Sequence, residues 1–289
     1  MSLQSKIFCF MCTKSDAKRD AGLTIPDTIM YIRDIKYGPD EKFNTLDICY
    51  PKDKEDKKLP VIISVHGGGY VYGNKEIYQF YAADLARRGF AVVNFNYRLA
   101  PKYKFPSPLE DLGKVIDWLI ENKDKHPVDL SNTFLVGDSA GAQLASQYAV
   151  IYTNEEYRKL MSFEKPDITI RALGLCCGLY DLKKRAYDEI KGIMRDYMGG
   201  NLEKYGEKLE VLKYINKDFP PSYLLSFGGD YLKEECAPMT ELLREKGVEA
   251  KYRIYGDEND GHVSHVNIKK RVATKANDDQ MEFFKEHIG

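Results

Sequence analysis

Ser139 stands at the centre of Gly137-Asp138-Ser139-Ala140-Gly141, a G-x-S-x-G. The apolar run "TFLVG" at 133–137 reads as a strand and "SAGAQLASQYAVIY" at 139–152 as a helix, so the serine falls on the turn between them. Such an elbow exposes the hydroxyl, and its flanking glycines relieve crowding around the turn. A serine hydroxyl is a weak nucleophile unless a base takes its proton, a carboxylate orients that base, and donors meet the developing oxyanion. The rest of the chain can be searched for those three parts.

The donors are expected at His66-Gly67-Gly68-Gly69, directly after the strand-like "VIISV" at 61–65. Successive glycines let backbone N–H groups turn inward, and the assignment is the N–H groups of Gly67 and Gly68 with that of Ala140 after the serine. A phosphate cradle is the other use of such a loop, but it wants a lysine in the motif, and here Tyr70 and Val71 follow. His66 itself is read as structural, pinning the glycine loop by hydrogen bonds.

For the carboxylate, Asp230 lies two residues beyond "SYLLSFG" at 222–228, at the edge where loops converge on the elbow. Its plain alternative is a helix N-cap. Glu234 and Glu235 are rivals, set within the following helix. The base should come last in the chain. Five histidines are present, and two of them, His262 and His265, sit in "ENDGHVSHVN". Gly261 gives the backbone freedom just before His262, which is therefore the expected base, with His265 structural or facing solvent. A metal clamp of His262 and His265 with Asp257 or Asp260 is physically possible. It would leave the elbow and the glycine loop without a role, so no metal is expected.

These groups need a scaffold. "TIMYIRDIKYG" and "KFNTLDICYP" alternate apolar and polar positions and read as an antiparallel lead-in, followed by the charged loop "KDKEDKK" at 52–58. From residue 61 on, near-continuous apolar strands alternate with helices: strands at 61–65, 90–97, 133–137, 171–177, 222–228 and 250–256, helices near 76–89, 109–122, 139–152, 234–246 and 275–287. That rhythm predicts an α/β fold with a mostly parallel sheet covered on both faces. Residues 180–215 break it and read as a helical lid.

The whole-chain balance, 43 basic against 44 acidic residues for a net charge of -1, leaves no footprint for nucleic acid or an anionic membrane. No run approaches the ~20 apolar residues of a membrane span, and no secretory leader is visible, so a cytoplasmic address is the default. Six scattered cysteines read as reduced thiols. Cys9 and Cys12 form a C-x-x-C, a zinc or redox spacing that has no second ligand pair nearby in sequence.

"HGGGY", "YRLAPKYKFPSPLED", "GDSAGAQLA" and "GGDYL", in this order across residues 60 to 287, resemble the hormone-sensitive-lipase branch of the α/β-hydrolases. The resemblance implies one hydrolase domain over 1–289, an eight-stranded mostly parallel sheet, and a cap from about 1–28 and 180–215. It also implies ester hydrolysis without cofactor through Ser139, Asp230 and His262, and a brace of Arg98 with Asp111 near the glycine loop. One departure is visible: Val263 and Ser264 follow His262, where the family commonly has His-Gly-Phe. The expected activity is a serine carboxylesterase acting on a small or medium ester, in a monomer or homodimer. A catalytically silent ligand-binding protein, an acetyl-xylan esterase and a kynurenine formamidase are the alternatives. Tyr70 is the expected substrate contact, in a pocket whose aromatic walls (Tyr72, Tyr187, Tyr197, Tyr205) would carry hydroxyl tips.

Overall fold

The computed structural model describes residues 1–188 and 192–289, so 189–191 of the expected cap lie outside the described residues. Eight strands form one sheet: β1 (Ile29–Lys36), β2 (Thr45–Pro51), β3 (Leu59–Val65), β4 (Ala91–Phe95), β5 (Val128–Asp138), β6 (Ile170–Cys176), β7 (Ser222–Phe227) and β8 (Ala250–Tyr255). Their spatial order is β1-β2-β4-β3-β5-β6-β7-β8. The first two neighbours pair antiparallel and all later ones parallel. The lead-in and the mostly parallel sheet follow the sequence pattern.

Both faces are buried, which is why the central strands read as unbroken apolar runs. Val61, Ile63 and Val65 of β3 point into a core built with helix α3 (Ser107–Asn122) and helix α4 (Ala140–Thr153). Ile62, between them, points to the opposite core with helix α2 (Gln79–Ala86) and helix α9 (Arg271–Lys285). These strand side chains are almost wholly buried, worth about 1.5–3 kcal/mol each in transfer free energy. The sheet is therefore a stiff platform, and its carboxyl edge fixes where the loops begin.

Three elements beyond the sheet border that edge. Helix α1 (Leu3–Asp20) starts where Ser2 Oγ accepts the N–H of Ser5 at 3.2 Å, an N-cap that holds the first turn. Helices α6 (Leu182–Asp188) and α7 (Ile193–Met198) follow β6, and Asp196 of α7 accepts the Ser2 N–H at 2.7 Å. Helix α8 (Cys236–Glu245) follows β7, and α5 (Glu155–Met161) follows α4. Among the described residues no helix is long and apolar enough to cross a membrane.

Candidate active site

The elbow has the geometry its spacing called for. Ser139 sits at φ 52°, ψ −119°, between β5 and α4, a conformation that L side chains rarely adopt. A Cβ on Gly141 would stand 2.0 Å from the Val65 carbonyl oxygen, and one on Gly137 2.3 Å from that of Gly141. Only glycine lets the strand, turn and helix close this tightly around the serine.

The glycine loop is held from below. His66 is buried, stacks on Tyr97 at 4.0 Å between ring centroids, and donates from Nδ1 to the Gly67 carbonyl at 2.7 Å. Burial, only partly opposed by the Gly67 bond, lowers its pKa to about 4, so it stays neutral. This is the pinning role expected for it. Arg98 donates from Nε to Asp111 at 2.9 Å, and the same segment ties to the glycine loop where the Ala100 N–H donates to the Tyr70 carbonyl at 2.9 Å.

The Gly67 N–H, one of the expected donors, already has a partner. The Gly67 N–H donates to the Tyr78 hydroxyl oxygen at 3.1 Å, and that hydroxyl donates to Asp138 Oδ2 at 2.8 Å. Gly67 is thus spent on holding the loop to the elbow. Among the described residues no acceptor is bonded to the N–H of Gly68, Gly69 or Ala140, and Gly69 and Ala140 line the same cavity as Ser139. Asp138, the free position of the motif, was not singled out from sequence; burial pushes its carboxyl up to about 6 although Tyr78 opposes the shift.

Asp230 and His262 are brought together by a parallel bridge between Gly229 and Gly261. His262 Nδ1 lies 2.7 Å from Asp230 Oδ1, and Asp230 also accepts from the Ser226 hydroxyl and from the Leu232 N–H. A carboxylate bonded only by donors stays ionised: burial raises its pKa, but His262, Ser226 and Leu232 outweigh that and bring it to about 2. For His262 burial pulls down, while Asp230 and Cys177 hold the imidazolium and lift it to about 9. Cys177 was not foreseen. Wholly buried at φ 49°, it accepts the Val263 N–H on Sγ at 3.4 Å. Tyr231 was not foreseen either, and its ring lies over His262 at 4.4 Å.

His265 does not face solvent. It is buried with Nδ1 2.9 Å from Cys176 Sγ, far from any shared ligand set with His262. Asp260 pairs with Lys270 and Asp257 with Asn259, so the two-histidine clamp is not assembled. Among the described residues the one group of three ligating side chains close enough to share an ion is Cys177, Asp230 and His262, whose donor atoms lie within 4.8 Å of one another. Thiolate, carboxylate and imidazole suit zinc, yet here the last two are already bonded to each other. Cys9 and Cys12 lie on α1 as free thiols, their pKa values raised by burial.

Ser139 lines two spaces. A cavity of about 80 Å³ is lined by Ser139, Gly67, Gly68, Asp138 and His262 among others. A larger one of about 460 Å³ is lined by Ser139, Ala140 and Gly69 with Phe8, Leu179 and Ile193 among its apolar walls. Tyr70 also lines it, but its hydroxyl is turned away to Gln143 at 3.0 Å and its ring is stacked on Tyr197 at 3.8 Å. The hydroxyls of Tyr72 and Tyr205 are likewise engaged, by Asp16 and by the Met198 carbonyl. The expected wall of hydroxyl tips is replaced by a mainly apolar one, with Tyr231 and Arg185 as polar members.

Comparison with known proteins agrees with this fold. Residues 46–232 match the BD-FAE family. Carboxylesterase 20 of Arabidopsis thaliana is 37% identical over 242 residues, covering 74% of this chain and 70% of that protein. An esterase of Fusarium pseudograminearum is 25% identical over 244 residues, covering 81% and 73%. Among solved structures, Esterase B from Lactobacillus rhamnosis superposes at a TM-score of 0.89 with 22% identity, covering 98% of this chain and 93% of that one, and so shares the fold. Fold and relatives define the class, a carboxylic ester hydrolase with the α/β-hydrolase fold. The chain belongs to the BD-FAE family, within the hormone-sensitive-lipase-like α/β-hydrolases.

Proposed function

We propose that this chain hydrolyses small or medium carboxylic esters by a serine mechanism, with Ser139 as nucleophile, His262 as base and Asp230 as its orienting carboxylate. The observation that carries the reading is the small cavity shared by Ser139 and His262, with His262 Nδ1 held 2.7 Å from Asp230 on its far side. With Nδ1–H donated to Asp230, Nε2 is the lone pair left to take a proton.

Ser139 Oγ attacks the acyl carbon as His262 Nε2 takes its proton. The carbonyl oxygen of the ester gains charge against the N–H groups of Gly68, Gly69 and Ala140, where preorganised dipoles act without having to turn. His262 then protonates the departing alcohol, and water, deprotonated by the same nitrogen, releases the acid from the acyl-enzyme. No cofactor enters these steps. The volume of about 460 Å³ and its apolar walls suit a short to medium acyl chain. Tyr70 contributes its buried ring to that wall. We read residues 1–289 as one domain in which α1 and the described parts of 180–215 form the cap.

The test is Ser139→Ala, which should lower kcat on p-nitrophenyl butyrate by about 10⁶-fold and abolish labelling by a fluorophosphonate. Turnover close to wild type in that variant would sink the proposal.

A further inference from the structure

Ten large apolar side chains are exposed among the described residues, and four of them, Leu3, Ile7, Phe10 and Met11, lie on α1. Their spacing, i, i+4, i+7 and i+8, puts them on one stripe of that helix. Phe8 and Cys9 lie on the opposite side and pack against the core, while Phe8 also lines the cavity at Ser139. The helix therefore has two apolar sides, and only the inner one is covered by the fold.

The outer stripe is not simply greasy. Lys6, Lys14 and Lys18 are exposed and fall on the same face by helical spacing, with Lys14 Nζ 4.3 Å from the centroid of the Phe10 ring. The two acids of α1, Asp16 and Asp20, share Arg19, Asp16 also accepts from Tyr72, and by helical spacing both lie on the inner side of the helix, away from the lysines. The whole-chain charge balance that argued against an anionic surface averages this local excess away. An exposed apolar stripe with interleaved lysines, its acids on the other side of the helix, is complementary to a lipid surface, apolar side chains inserted and ammonium groups at the phosphates. A second copy of the same face would bring lysines against lysines.

We propose that the outer face of α1 docks on an anionic lipid surface, which sets the mouth of the Ser139 cavity beside it. The inference stands apart from the hydrolytic reading, because binding is measured without turnover. The full chain is sedimented with vesicles of phosphatidylcholine alone and of equal parts phosphatidylcholine and phosphatidylglycerol. The expected result is binding to the mixed vesicles that weakens with salt, and that falls about tenfold or more in Ile7→Ser/Phe10→Ser and in Lys6→Glu/Lys14→Glu/Lys18→Glu. Hydrolysis of a water-soluble short ester by these variants should stay at the wild-type level, which also shows that they fold. Three results would overturn it: no binding to either vesicle, binding equal on both, or binding unchanged in the variants. Loss of self-association in Ile7→Ser/Phe10→Ser with no change on vesicles would instead assign the face to a second copy and overturn it as well.

Discussion

Cys176 Sγ stands 2.9 Å from Nδ1 of His265, and both side chains are buried. Burial lowers the pKa of His265 to about 3 and raises that of the Cys176 thiol, so a neutral thiol shares a hydrogen bond with a neutral imidazole. The ring also meets Tyr81 edge-on at 5.0 Å, and the His265 carbonyl accepts from Asn277 Nδ2 at 3.1 Å. His265 is thus the anchor of the loop that carries His262. His265→Ala should cost about 2–4 kcal/mol of stability in chemical unfolding while the folded fraction keeps turnover within about tenfold of wild type. His262→Ala also costs stability, since it takes the partner from buried Asp230, but it alone should lower kcat of the folded protein by about 10⁴-fold or more. The reverse pattern would exchange the two roles.

The pair of His262 and Asp230 makes opposite demands on activity and stability. The imidazole pKa is raised from 6.5 to about 9, so the protonated pair stabilises the fold fully below 6.5 and that contribution is lost as pH climbs through 9. Attack on an ester needs the neutral ring, so kcat/KM should rise with pH over that same window. Asp230→Asn removes the charge that holds the proton and should bring the acid limb back toward 6.5 with a much lower plateau. A wild-type limb at or below 6.5 in a pH–rate profile would contradict this account of the site.

Tyr78 is the link between glycine loop and elbow, accepting from the Gly67 N–H and donating to Asp138. Tyr78→Phe leaves both groups buried without that partner, at about 1–3 kcal/mol for each. The carboxyl of Asp138, already pushed up to about 6 by burial, loses a bond that lowers it and rises further. For an acid raised in the folded state, stability is greatest when it is protonated and declines as pH rises through its pKa. The stability loss in Tyr78→Phe should therefore be larger above neutrality than below 6. Unfolding curves on the two sides of that value check it, and a pH-independent loss would rule out Asp138 as the cause.

How far this site could be read from residues alone depended on what kind of constraint each residue obeys. Gly137, Ser139 and Gly141 answer to local sterics, which a five-residue pattern records. The strands answer to burial on both faces, which their apolar runs record. Gly67 and Gly69 both border a Ser139 cavity and differ in that the Gly67 N–H is taken by Tyr78, and nothing within the glycine run carries that information. The same holds for α1, whose stripe mixes lysines with apolar residues and so lacks the clean period of a core helix. Cys176 and Cys177 looked like two ordinary thiols at a strand end because their partners are nearly ninety residues away in sequence.

Cys177 gives the sharpest test of that long-range coupling. Its Sγ accepts from the Val263 N–H at 3.4 Å, and both Cys177 and Val263 sit at positive φ, 49° and 55°. Two residues held in a costly backbone region on facing loops need a mutual contact to persist. That contact fixes the peptide directly after His262, and the sulfur is one of the groups that hold the imidazole proton. Cys177→Ser keeps an acceptor there, although a shorter one. Cys177→Ala removes it. The alanine variant should lose about tenfold in kcat with little change in KM. Its acid limb should move from near 9 toward 6.5, and serine should restore part of both. A positioning role requires the kcat loss and the shifted limb to appear together, since simple loss of packing would lower stability and leave the limb in place. Steady-state profiles of the three proteins across pH, read beside their unfolding midpoints, separate the two outcomes.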